Sequence, residues 1–219
     1  MRKYVLFFLV LIFLLAGCQS KEEKLQKQLE IQQKQIQTQI SDLKTQAITY
    51  EQKADFDNAV ALYEKALNLK EDSEIRNKLT DIKIEKESID KTKAFLMVVK
   101  DIQYKLDTIS NMVDLSNLLI ENKRVFDEFE SVDTTKNTAI SNFVGDILKS
   151  DNYKNFKTYY DDEYIKQAEL DSRTNKTLDK LSGGIAFSLI NNMMYDSIKS
   201  MTKMYLGSLP KELPAKYRK

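Results

Sequence analysis

Few side chains in this sequence could carry chemistry, and their types limit what that chemistry is. His is absent, so no Ser–His or Cys–His nucleophile can be assembled and an imidazole metal site is excluded. A single thiol, Cys18, rules out an intrachain disulfide and a cysteine-cluster metal site. The densest acidic group, Asp161-Asp162-Glu163, lacks the alternating oxygen ligands and turn glycine of a calcium loop, and reads as a solvated helix start. Asp127, Glu128 and Glu130 are near neighbours on a helix and form no facing acid–base pair. Tyr153, Tyr159, Tyr160 and Tyr164 could wall a peptide or glycan site, but Tyr also packs helices with its polar end in water, and packing is the favoured reading. Met193, Met194, Met201 and Met204 could form an adaptable groove; at helical spacing beside Ile190 and Ile198 they read as core. No Gly-rich phosphate loop, G-x-S-x-G or H-E-x-x-H is present. The expectation is a protein that is not an enzyme and holds no metal or cofactor.

Cys18 is the exception, because of what precedes it. Arg2 and Lys3 are followed by an unbroken apolar run from Val5 to Leu15 and then by Ala16-Gly17-Cys18. The run falls well short of the about 20 residues a spanning helix needs, and it reads as the core of an export signal. Leu15-Ala16-Gly17-Cys18 resembles the lipobox of bacterial lipoprotein precursors at all four positions. The resemblance implies export, cleavage before Cys18 and a thioether-linked diacylglycerol on its sulfur, with or without a further acyl chain on the new amine. An ordinary secretory signal and an uncleaved anchor are the competing readings. Loss of residues 1–17 removes Arg2 and Lys3 and leaves a mature chain close to neutral, so lipid and not charge would hold it at the membrane. Abundant Lys, Asn and Ile suggest an AT-rich Gram-positive source, which would place the protein on the extracytoplasmic face of the cell membrane.

Around this address lies a chain built for helices. Its 219 residues suffice for one ordinary domain or two small ones. Lys and Arg number 34 against 33 Asp and Glu, so no basic excess points to nucleic acid. Gly (5) and Pro (2) are scarce, and neither occurs between Cys18 and Val144, so the predicted class is all-α. The predicted order is a signal peptide (1–17), a polar helical stalk (18–39), a helical hairpin with a capping helix (40–87), a larger irregular bundle (88–207) and an extended basic tail (208–219). In the stalk Leu29, Ile36, Leu43 and Tyr50 repeat every seven residues, yet the matching seam of Leu25, Gln32, Gln39 and Gln46 is mostly polar. A polar spacer therefore fits better than a coiled coil.

Residues 40–73 form two amphipathic segments broken at Ala54-Asp55, with Asp55 as the predicted N-cap of the second. Small residues at Ala47, Ala59 and Ala66 allow close approach, and Phe56 and Tyr63 fill the space between. This pattern resembles a single tetratricopeptide repeat of about 34 residues, most closely over ADFDNAVALYEKALNL at residues 54–69. Leu43, Gln46, Ala54 and Glu71 depart from the Trp, Leu, Gly and Pro usual at those places, and a convergent helical hairpin is the alternative. The resemblance implies a face presented to a peptide or helix, which by position would include Ile40, Leu43, Lys44, Tyr50 and Asn58. Beyond it, Phe95, Val99, Ile102 and Leu106 begin a core stripe, a bend is predicted near residues 110–117, and Gly183-Gly184 marks a hinge. The function expected is a membrane-tethered, non-catalytic interaction module with an envelope protein or peptide as partner. The alternatives are a self-associating stalk and an envelope carrier or accessory with an apolar cavity in residues 90–206.

Overall fold

The computed structural model describes residues 2–110, 112–160 and 185–218, with side chains described within 21–110, 114–158 and 195–218. The described residues are helical and contain no strand, and the chain divides into two compact units, Met1–Lys83 and Ile84–Lys219.

In the first unit α1 (Arg2–Gln52) is followed by α2 (Phe56–Leu69) and the opening turns of α3 (Ser73–Leu106). Residues 21–39 of α1 are exposed apart from a half-buried Ile36, which suits their Lys, Gln and Glu, all good helix formers that ask for no burial. From Ile40 onward α1 packs on α2. Ala47, Ala59, Tyr63 and Ala66 have no solvent exposure, so the three alanines bring the backbones together while the Tyr63 ring fills the remaining volume. Ile75, Leu79 and Ile82 of α3 are also buried in this unit.

The turn between α1 and α2 is a Schellman motif. The amide of Asp55 donates to the carbonyl of Tyr50, and that of Ala54 to the carbonyl of Glu51, both at 2.9 Å. This geometry places Ala54 in the left-handed region at φ 52°, where glycine is at ease and alanine is strained. Asp55 then caps α2: Oδ1 accepts from the Asn58 amide at 3.5 Å and Oδ2 from the Asn58 side-chain amide at 2.9 Å. Asp72 opens α3 the same way, accepting from the Ile75 amide at 3.1 Å.

α3 runs without a break through residues 87 and 88, where the sequence suggested one element giving way to another. The polar residues there do not interrupt it. Ser88 donates to the Ile84 carbonyl at 2.8 Å and Thr92 to that of Ser88 at 2.7 Å, so both hydroxyls are satisfied within the helix.

The second unit adds α4 (Met112–Glu121), α5 (Lys123–Glu130), α6 (Ala139–Lys149), α7 (Asp151–Tyr160) and α8 (Ile185–Gly207). Its core centres on Phe95 of α3, which stacks on Phe129 of α5 with centroids 3.8 Å apart and planes 8° from parallel. Phe126 meets the Phe95 edge at 5.5 Å, and Phe156 of α7 lies 5.3 Å from Phe126. With α4 already beginning at Met112, the bend expected near residues 110–117 lies earlier, at residues 107–110 just after α3 ends. It is held by α8: Lys199 donates to the Ile109 carbonyl at 2.8 Å, the Tyr195 hydroxyl donates to the same oxygen, and Lys203 pairs with Asp107 at 2.6 Å. Asp151 and Asn152 start α7 directly after α6. The Ser150 hydroxyl between the two helices accepts from the Tyr153 amide at 3.2 Å.

The C-terminal segment corrects another expectation. Residues 208–218 do not trail away as an extended tail. Leu209, Leu213 and Tyr217 are buried, Ala215–Tyr217 forms a short 3-10 helix, and the Tyr217 hydroxyl donates to Glu85 of α3 at 2.6 Å. Four-residue spacing of the three apolar side chains docks a segment whose prolines, Pro210 and Pro214, forbid a regular helix.

Candidate functional site

The residues that sequence reasoning placed on a partner-binding face do not all reach a surface. Ile40 is 4% exposed and belongs to the α1 core side, so it supports a surface and does not offer one. Leu43, Lys44 and Tyr50 are half-buried on α1 and share its face with Ala47, because positions three and four apart align along a helix. Asn58 is exposed in the first turn of α2, at the Tyr50 end of the hairpin, with its side chain committed to Asp55. Leu43, Lys44 and Tyr50 are therefore brought together, and Asn58 lies beyond the turn.

The charges around this face are arranged in pairs. Lys44 Nζ lies 2.7 Å from a Glu74 oxygen, and Lys78 Nζ lies 2.9 Å from Glu51. Glu51 also accepts from the buried Tyr63 hydroxyl at 2.6 Å. Burial, reinforced by the hydrogen bond and the negative charge of Glu51, pushes the Tyr63 hydroxyl well above its ordinary range. The phenol stays protonated and locks α2 to the last turn of α1. This network can orient a surface.

Other candidates resolve differently. Tyr153 is buried, ring-packed 6.0 Å from Phe95 and bonded through its hydroxyl to Glu130 at 2.9 Å, so it is a packing residue. Tyr159 and Tyr160 side chains, Tyr164, Asp161-Asp162-Glu163 and Gly183-Gly184 lie outside the described residues, as do the side chains of Met193 and Met194. Met201 is half-buried, but Met204 is 57% exposed and is not the core residue its spacing suggested. Asp127 pairs with Lys123 and Glu128 with Arg124, each at 3.6 Å, while Glu130 pairs with Lys157. Among the described residues no group of carboxylates could hold a metal ion.

Two side chains that sequence reasoning passed over stand out on the second unit. Met97 and Tyr104 of α3 are 71% and 75% exposed. Both fall out of phase with the Phe95–Val99–Ile102–Leu106 stripe, and that phase was the available signal.

Residues 1–19 match the family described as the prokaryotic membrane lipoprotein lipid attachment site, and the matched stretch contains the single cysteine, Cys18. The chain matches no curated protein and no solved structure. Among the described residues no helix is long and apolar enough to cross a membrane. With attachment supplied by the N-terminal site, the chain is a lipid-anchored bacterial membrane lipoprotein.

Proposed function

We propose that this lipoprotein is a non-catalytic interaction module, held by lipid on Cys18 at the outer face of a Gram-positive cell membrane, whose α1–α2 hairpin docks an envelope protein or peptide. The carrying observation is the division of labour within α1. Ala47 and Ile40 are sealed against α2, yet Leu43 and Tyr50 on the same stretch keep part of their apolar surface in water beside Lys44. The close alanine packing agrees with a tetratricopeptide-like hairpin, in which the first helix carries the docking face. The test is crosslinking in the native membrane followed by recovery of the lipidated protein. One defined partner should be captured, and its capture should fall in Leu43→Asp and Lys44→Glu while Cys18 processing is unchanged. Equal capture by those variants would overturn the hairpin as the docking site. Lys44→Glu should not unfold the chain, because a solvent-facing pair such as Lys44–Glu74 contributes only about 0–1 kcal/mol.

Self-association through the stalk is the second reading, and one observation favours it. Leu25, Leu29 and Ile31 are 59%, 49% and 55% exposed on α1, and Ile36 and Leu69 line a surface groove of about 550 Å³ with Gln33 and Gln37. A stalk dimer should revert to monomer in sedimentation when Leu29 and Ile36 become Asn; a wild-type chain that is already monomeric would dismiss it.

A further inference from the structure

The second unit carries a basic, apolar-floored groove whose chemistry is distinct from that of the hairpin. Lys93, Met97, Lys100 and Tyr104 step by three or four along α3 and share one exposed face. The docked C-terminal segment borders that face. Leu96, Met97, Leu213 and Tyr217 line an open groove of about 420 Å³, and Lys93, Lys100, Lys211 and Arg218 stand around it. Glu212 is the one carboxylate among the lining residues, and it is bound to Arg218 at 3.0 Å. Lys93, Lys100 and Lys211 have no ion-pair partner among the described residues. Other surface cations are paired, as in Lys83–Glu64, Lys105–Asp101 and Lys203–Asp107, and what sets the groove apart is that three unpaired lysines gather around one apolar side chain.

We propose that this groove is a second docking surface, for an acidic peptide segment with one or two apolar anchors laid along α3 between Lys93 and Tyr104. The unmatched ammonium groups call for an anion and would steer its approach. The floor calls for an apolar side chain, because a bare polyanion would leave the exposed Met97 wet. Met97 suits such an anchor, having an unbranched, adaptable thioether side chain. Lys93 and Tyr104 are about 16 Å apart along the helix, the length of about five extended residues. The peptide therefore needs only one short acidic stretch. The groove is open and is bounded on one side by the C-terminal segment, so a short chain segment can be laid along it. Arg218 is fixed at its rim by donating to the Leu213 carbonyl at 2.6 Å, so the groove is already formed before a partner arrives.

The test uses the mature, lipidated full chain in nanodiscs of neutral phosphatidylcholine. The probe is a fluorescein-labelled peptide of Asp and Glu with two Leu residues four apart, read by anisotropy. Saturable binding is expected, weakened about tenfold or more in the Lys93→Glu/Lys100→Glu variant and in Met97→Ser, and weakened by added salt. Lys211→Glu, on the C-terminal segment, should weaken it as well, and all variants change exposed positions and should keep the parent circular dichroism melt. Lys44→Glu on the hairpin should leave this binding unchanged, so the two surfaces stand or fall separately. The proposal is overturned if the probe does not bind, or if the groove variants bind it as well as the parent does. Equal binding of a peptide with Ser in place of Leu would overturn it in favour of a simple polyanion site, and equal, variant-sensitive binding of phosphatidylglycerol vesicles in favour of a lipid-facing patch.

Discussion

At Ala54 a single methyl group works against the fold. The Schellman turn requires φ 52° there, and the left-handed region costs a non-glycine residue about 1–2 kcal/mol. Glycine would relieve that strain but add about 0.4–1 kcal/mol of unfolded-state entropy, so Ala54→Gly should stabilise by about 0.5–1 kcal/mol. The check is a urea midpoint shifted upward at an unchanged slope. A drop would mean that the turn adopts another geometry. Tyr63 and Tyr217 make a second residue-scale prediction. Each is pushed above the ordinary tyrosine range, first by burial and then by its bond to Glu51 or Glu85. The unfolded tyrosines release protons near pH 10 while the folded ones hold them, so the unfolded state binds fewer protons as the pH rises. Their contribution is complete below pH 10 and is lost above it, at about 1.4 kcal/mol per pH unit for each tyrosine. Tyr63→Phe/Tyr217→Phe should flatten this alkaline decline in chemical denaturation series; an equally steep decline would assign it to other groups.

At the scale of elements, Gly145 in α6 is a place where the helix could be better made. A Cβ added there would sit 3.7 Å from the Thr134 Cβ, an ordinary contact, and alanine is about 1 kcal/mol better than glycine in a helix interior. Gly145→Ala should therefore raise the melting temperature by several degrees, and a fall would show that the 131–138 loop cannot accept even that contact. Element boundaries were legible where local chemistry sets them: Asp55 and the alanine–tyrosine pattern marked the α1–α2 turn. They were illegible where tertiary contacts decide. Nothing local says that Ser88 and Thr92 bond back into α3, or that Leu209, Leu213 and Tyr217 dock against Glu85 despite two prolines. Ile40 was misplaced for a related reason. An apolar residue at the edge of a helical stripe reads the same whether it lines a groove or seals a core.

For the whole molecule, the lipid anchor is set by the N-terminal site, and the two docking surfaces are proposals that rest on it. The anchor was readable in full because lipidation depends on four adjacent residues, Leu15-Ala16-Gly17-Cys18, and not on packing. The groove along α3 was not, because its cations lie far apart in sequence and become one cluster only when the C-terminal segment folds back. Near-neutral overall charge hid it further, since 34 basic and 33 acidic side chains conceal a local imbalance. From Cys18 to Gln52 α1 runs for about 50 Å at about 1.5 Å per residue, so the anchor and the hairpin are carried by one continuous element. Everything proposed for either surface depends on the chain being held at the membrane through Cys18. Intact-mass spectrometry of the protein extracted from its own membrane tests that most directly. The expected species is a chain beginning at Cys18 with the added mass of a diacylglycerol; a chain still beginning at Met1, or at Cys18 without lipid, would refute lipid anchoring.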